Sequence, residues 1–214
     1  MKNQWNHFLT SVLGQASNHY LWLQSLSYLE YIGYRKMVKA LGYDQLMSQS
    51  VQTHLSDEIE HSLLFKNQLK QLFSKDTQLK LGAVQKLQSI AENYFQSLDS
   101  AVEECVQKKY GDVPFLSYLE TSLIIEKRAM QVYPSYQAQL AESSLKQTVL
   151  KVIRDEADHL KNLDRTLHQY PLLNQSQSQL TEIESQLFNH FLLEMSELSA
   201  TPSEQLFEQF DPLS

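Results

Sequence analysis

Along most of the chain, apolar residues recur at three- and four-residue steps with polar residues between them, which is the period of an amphipathic α-helix. The interruptions fall at Gly and Pro. The pattern predicts a first long helix from about Asn6 to Leu41, stopped at Gly42. Asp44 has the residue type and position to cap a second, "LMSQSVQTHLSDEIEHSLLFKNQLKQLF", which runs to about Ser74. So short a loop makes the two antiparallel neighbours. A connection, "SKDTQLKLG", then leads to a helix, "AVQKLQSIAENYFQSLDSAVEECVQKKY", that ends at Gly111 and can carry the chain the length of the molecule.

Pro114 opens the next helix, where its missing N–H does no harm, and Pro134 is expected to kink or end it. A further helix covers about Ser143 to Gln169 and is stopped by Pro171. A Ser/Gln-rich linker, "NQSQSQ", precedes an amphipathic helix with Leu180, Ile183, Leu187, Phe191, Met195 and Leu198 on one face. "TPSE" marks a short last helix, with Thr201 as cap, Pro202 at its first position and Glu204 completing a capping box.

Composition agrees with this pattern. Five Gly and five Pro in 214 residues leave few turn-makers. The expectation is one all-α domain over residues 1–214, with a core bundle at about 6–170 and a C-terminal helical extension at about 178–210. A single cysteine, Cys105, excludes an intrachain disulfide, and the opening "MKNQWNHFLTSV" lacks the basic-then-apolar pattern of a secretory signal, so a cytoplasmic location is expected. A formal net charge of −7 disfavours nucleic acid and anionic membranes as partners, and no stretch reads as a membrane span.

Two short stretches change the picture. "DEIEH" at positions 57–61 returns as "DEADH" at positions 155–159, each inside a predicted helix. Residues three apart on a helix share a face, so Glu58 and His61 converge on one point, as do Glu156 and His159. The first helix has a stripe of Leu23, Leu26, Gly33 and Met37 that demands an apolar residue at position 30, and Glu30 stands there. After Pro114 the stripe Leu119, Ser122, Ala129 and Tyr133 places Glu126 in the same situation. The small Gly33 and Ala129, three residues after these acids, leave room beside a carboxylate.

The halves also agree in spacing, since Glu30 precedes Glu58 by 28 positions and Glu126 precedes Glu156 by 30. Four buried carboxylates repel one another and are poorly solvated, so positive charge must sit among them. Two divalent metal ions supply it. Four carboxylates with two imidazoles and no thiolate suit iron or manganese. The expected ligands are Glu30, Glu58, His61, Glu126, Glu156 and His159, holding two iron ions or one iron and one manganese. Asp57 and Asp155 are candidates to accept the ring N–H of a ligand histidine, the one in the opposite half, and otherwise are surface acids. Glu120 competes with Glu126 but lies off the stripe. His54, one turn before Glu58, reads as a supporting or core histidine; Tyr34 and Tyr133 follow the buried acids and either pack or relay electrons.

Through "LEYIG", "DEIEH", "IEKRA" and "DEADH", over roughly residues 20 to 170, the sequence resembles the ferritin-like di-iron carboxylate superfamily. The resemblance implies a four-helix bundle with a long crossover between its second and third core helices, two bridged metals and chemistry with dioxygen or peroxide. A lone cysteine departs from rubrerythrins, which carry a Cys-rich iron domain, and two intact ExxH motifs depart from animal storage ferritins. The extra crossover helix and C-terminal helices look more like the substrate-oxidising members.

Three functions follow as expectations. The first is an oxidase or oxygenase acting with O2 on a small organic substrate, supplied by an external electron donor. The second is an iron-handling or peroxide-scavenging protein with no organic substrate. The third is a bundle whose C-terminal helix binds a partner. About sixty residues beyond a minimal bundle favour the first, in a monomer or homodimer, because a storage shell needs short, economical subunits.

Overall fold

The computed structural model describes residues 2–174 and 176–212. In chain order the elements are α1 (Lys2–Gly14), α2 (Ala16–Ala40), α3 (Tyr43–Leu46), α4 (Gln49–Leu72), β1 (Gln78–Leu79), α5 (Leu81–Tyr110), α6 (Pro114–Gln139), α7 (Ser143–Leu167), α8 (Pro171–Asn174), α9 (Gln177–Ser199), α10 (Ser203–Leu206) and β2 (Phe207–Gln209). The fold is all-α apart from one two-stranded ribbon.

Two helix pairs form the centre. α2 packs along α4, α6 packs along α7, and the pairs meet through α4 with α7 and α2 with α6. Partners run in opposite directions: on α4 and α7, Gln68 bonds Thr148, His61 bonds Asp155 and His159 bonds Asp57. Ser27 and Ser62 lock α2 to α4, each hydroxyl donating to the other's backbone carbonyl, at 2.9 and 2.7 Å. The 30-residue α5 is the crossover between the pairs, about 45 Å long at ~1.5 Å per residue, and α9 packs along it while also touching α2 and α6.

The apolar core falls into two parts. One contains Leu23, Leu26 and Phe65 with Val132, Tyr133, Val149 and Val152. The other contains Met37, Leu98, Leu119, Leu123 and Leu163. On α4, α6 and α7 the gap between the two parts is where Glu58 and His61, Glu126, and Glu156 and His159 lie, while on α2 Glu30 stands among the last residues of the first part, just before Ile32.

Several boundaries differ from the expected ones. The first long helix is two, broken at Gln15, whose backbone is extended (φ −140, ψ 128) just after Gly14, a poor helix former. The break folds α1 back so that Trp5 and Phe8 meet Trp22, with ring centroids 5.6 and 5.4 Å apart, where a straight helix would carry them into solvent. Asp44 caps nothing; it lies in the one-turn α3, and α4 starts after Ser48. Pro134 does not end α6, which continues to Gln139 because burial of Val132, Tyr133 and Tyr136 holds that segment helical across the missing N–H.

Most of "NQSQSQ" is helical, falling in α8 and α9, while its Gln175 lies outside the described residues. On α9 the expected Leu180, Phe191, Met195 and Leu198 are buried, Ile183 and Leu187 are only half so, and the buried face widens to take in Glu184, Phe188 and Leu192. α10 begins at Ser203 without a side-chain cap. β2 then pairs antiparallel with β1 and ties the chain's last described segment to the crossover.

Candidate metal centre

Each half supplies the site by the same local rule. Three-residue spacing puts Glu58 with His61 on the inner face of α4, and Glu156 with His159 on that of α7, while Glu30 and Glu126 reach in from α2 and α6. All six are at most 8% exposed. They divide into two groups that could each hold a metal ion: Glu30, His61 and Glu156 form one, and His54, Glu58, Glu126 and His159 the other. Within each group, ligand-capable atoms lie within 4.8 Å of one another. Glu156 faces both, its Oε1 3.1 Å from His61 Nδ1 and its Oε2 2.8 Å from His159 Nδ1.

The outer nitrogens are held crosswise. His61 Nε2 donates to Asp155 and His159 Nε2 to Asp57, both at 3.0 Å, so each half's aspartate orients the other half's histidine. The inner nitrogens therefore point at the carboxylates. His61 Nδ1 is fully buried and, although 3.1 Å from Glu156 and 3.8 Å from Glu30, is aligned for a hydrogen bond with neither. A buried nitrogen aimed between carboxylates without a hydrogen bond is a position that a metal ion would satisfy once its proton leaves.

The electrostatics agree. Burial opposes charge on His61, but the close carboxylates of Glu156 and Glu30 outweigh it and push this imidazole up to about 12. Burial likewise opposes charge on His159, and Glu126 and Glu156 raise it to about 11. Glu58 goes up to about 8, chiefly through burial, with the neighbouring Glu30 and Glu156 adding to the rise and His54 opposing it. Protons thus supply the positive charge that the four acids demand, and a metal ion would replace them.

Gly33 explains how Glu58 fits. A Cβ built there would lie 2.5 Å from Glu58 Oε2, so the missing side chain is the space the carboxylate uses. The sequence places the room beside Glu30; the structure gives it to Glu58. Tyr133 is buried and its hydroxyl donates to Glu30, while Tyr34 is half-buried and outside both groups.

His54 has a closer place than a supporting histidine. Its Nε2 donates between Glu126 and Glu58, at 3.0 and 3.2 Å, and its Nδ1 lies 3.2 Å from the hydroxyl of Tyr118. Its ring centroid is 4.0 Å from that of His159. Position 152, its counterpart in the other half, is a buried valine, so the two groups are unequal. Tyr118 escapes the sequence reading, although its eight-residue separation from Glu126 puts it on the same stripe. Glu120 belongs to neither group; it is fully buried, with neither carboxylate oxygen hydrogen-bonded.

Two cavities reach this layer. A larger one, of about 380 Å³, exposes Glu30, Glu58, Glu126, Glu156 and His54. A smaller one, of about 180 Å³, reaches His54 and His159 from the side of Ser48 and Thr166. Among the described residues no helix is long and apolar enough to cross a membrane. Comparison of the chain with protein-family models, with curated proteins and with solved structures finds no match in any of the three.

Proposed function

We propose that this chain is a ferritin-like dimetal carboxylate oxygenase, acting with O2 on an organic substrate held in the larger cavity. Glu30, His61 and Glu156 hold one ion; Glu58, Glu126 and His159, joined by His54, hold the other. The donor set of carboxylates and imidazoles suits two irons, or iron with manganese. The observation that carries the reading is the pairing of two buried acid–histidine groups, backed crosswise by Asp57 and Asp155, with a cavity that opens onto their carboxylates.

Bound iron would supply the electrons and the open coordination that let O2 attack a C–H bond. In the overall balance C–H becomes C–OH, the second oxygen atom leaves as water, and two electrons and two protons enter from an external donor. An external donor is needed because one cysteine cannot ligate an iron–sulfur cluster. The chain's own residues orient and exclude. The crosswise aspartates fix the histidine rings, Tyr133 holds one oxygen of Glu30, and the two apolar half-cores flank the layer.

Anaerobic reconstitution with Fe(II) tests this. The expected result is about two irons per chain, lowered in Glu30→Ala and Glu126→Ala, and a new visible absorption on adding O2. Absence of specific metal binding, or full binding by both variants, would overturn it.

A further inference from the structure

The larger cavity extends along the helix axes of the bundle. On α2 its wall runs from Trp22 to Ala40, about 27 Å at ~1.5 Å per residue, and on α6 from Pro114 to Tyr133, about 28 Å. Its volume of about 380 Å³ borders this length of wall, and we call it the trench.

Its ends differ. Lys39, Glu103 and Pro114 at one end are exposed and form a mouth. Trp22, Val132 and Phe188 at the other are buried and form a blind wall. Glu30 lies between them, about 15 Å from the level of Ala40 and about 12 Å from that of Trp22.

The two arms also differ in chemistry. The arm towards the mouth has the hydroxyl residues Ser117 and Thr121 and the Lys36–Asp99 ion pair. The blind arm is walled by Trp22, Leu26, Val132 and Phe188. Arg128 reaches it, but its Nε is bound to Glu184 at 2.8 Å and its guanidinium is covered by the ring of Phe188, 4.4 Å away. A neutralised, covered cation of this kind offers no recognition to a charged group and leaves an apolar end.

We infer that the trench takes an extended aliphatic chain, tail first, with its polar head at the Lys39–Glu103 rim and an internal methylene beside Glu30 and Glu126. A flexible chain can follow a wall of this length and gains from each methylene it buries. On the dimetal reading, the carbon oxidised is therefore an internal one, with about 12 Å of chain beyond it. The reaction is the C–H to C–OH conversion balanced above, applied to a methylene. The opposite charges of Lys39 and Glu103 admit a carboxylate or a neutral head, so the chain, not the head, is the recognised part.

Trp22 makes the binding step measurable without metal. The protein has two tryptophans, and Trp5 packs on Trp22 at the blind wall. Hexadecanoate with bromine on its terminal carbon should quench the metal-free protein's fluorescence saturably and be displaced by unlabelled hexadecanoate. The isomer brominated beside the carboxylate should quench at least threefold less. Terminally brominated hexadecanol should behave like the acid; if it does not, the head is recognised and the chain reading fails. Ala129→Phe, which fills the blind arm, should weaken binding at least tenfold with unchanged circular dichroism, and undiminished binding would count against the site. Should that variant not fold, the two acid isomers decide: equal quenching, or no saturable binding, overturns the inference. The chain's register is read in the Mn(II)-loaded protein, where internal methylenes of bound hexadecanoate should show the fastest proton relaxation. Fastest relaxation at either end would overturn the internal position. Failure to bind Mn(II) would count against the dimetal reading alone, since the quenching result stands without metal.

Discussion

Asp155 Oδ2 accepts from His61 Nε2 at 3.0 Å and, on the same oxygen, from Lys151 Nζ at 2.7 Å. Lys151 and His61 together overcome the effect of partial burial and hold this carboxyl below its ordinary range. A carboxylate that stays ionised holds the Nε2–H of His61 and so fixes the ring with Nδ1 turned to the interior. Asp155→Asn should retain the fold and lower metal affinity by about 10–100-fold, and Asp57→Asn should act similarly through His159. Competition against a chelator of known affinity reads both.

Gly33→Ala separates folding from metal binding. Alanine is favoured over glycine within a helix by about 1 kcal/mol, but its Cβ would push Glu58 from its place. The expected outcome is a thermal midpoint for the metal-free variant equal to or above that of the parent. Elemental analysis should show loss of the ion held with His54.

Arg128 and Glu184 join α6 to α9 across the wall of the trench, with side chains 10% and 3% exposed. Removing one partner leaves a buried charge, so Arg128→Met should cost about 3–5 kcal/mol in urea unfolding. Arg128→Met combined with Glu184→Met should recover much of the loss. A double variant no more stable than the single would show that packing, not charge, fixes α9.

Glu120 gives the clearest pH dependence. Burial pushes its carboxyl up to about 7, against the opposing charges of Lys127 and Lys109. Its folded-state value is above the unfolded one, so the native state binds the proton more tightly. The associated stability is complete below about pH 4.5 and is lost as pH rises through about 7. Glu120→Gln should therefore raise stability at pH 8, by about 3 kcal/mol at most, and change little at pH 4.5. Denaturant midpoints at the two pH values check the sign.

The candidate site was legible because its signals are local. A carboxylate in an apolar stripe, as at Glu30 and Glu126, and ExxH on one helix face need only the helical period to be read. The all-α class followed equally from periodicity and the scarcity of Gly and Pro. What stayed hidden depends on how helices turn towards one another. The membership of His54, the burial of Glu120 and the Arg128–Glu184 pair each rest on a helix's rotation, which sequence period alone leaves free. The break at Gln15 joins the weak helix former Gly14 to the burial of Trp5 and Phe8, and the continuation through Pro134 follows the burial of Tyr133 and Tyr136, which overrides local preference.

The reciprocal bonds between Ser27 and Ser62 sit beside the site, three residues before Glu30 and one after His61. They set the sliding position of α2 against α4 by backbone carbonyls, with no contribution from the acids. The entropy of assembling a chelating cage is thereby met when the chain folds, not when an ion arrives. On the dimetal reading, loading and release then require proton exchange and side-chain rotation but no helix movement. Amide hydrogens of α2 and α4 near these serines should exchange at the same slow rate with the ions present or stripped away, and the cage should refill as fast as ions can reach it.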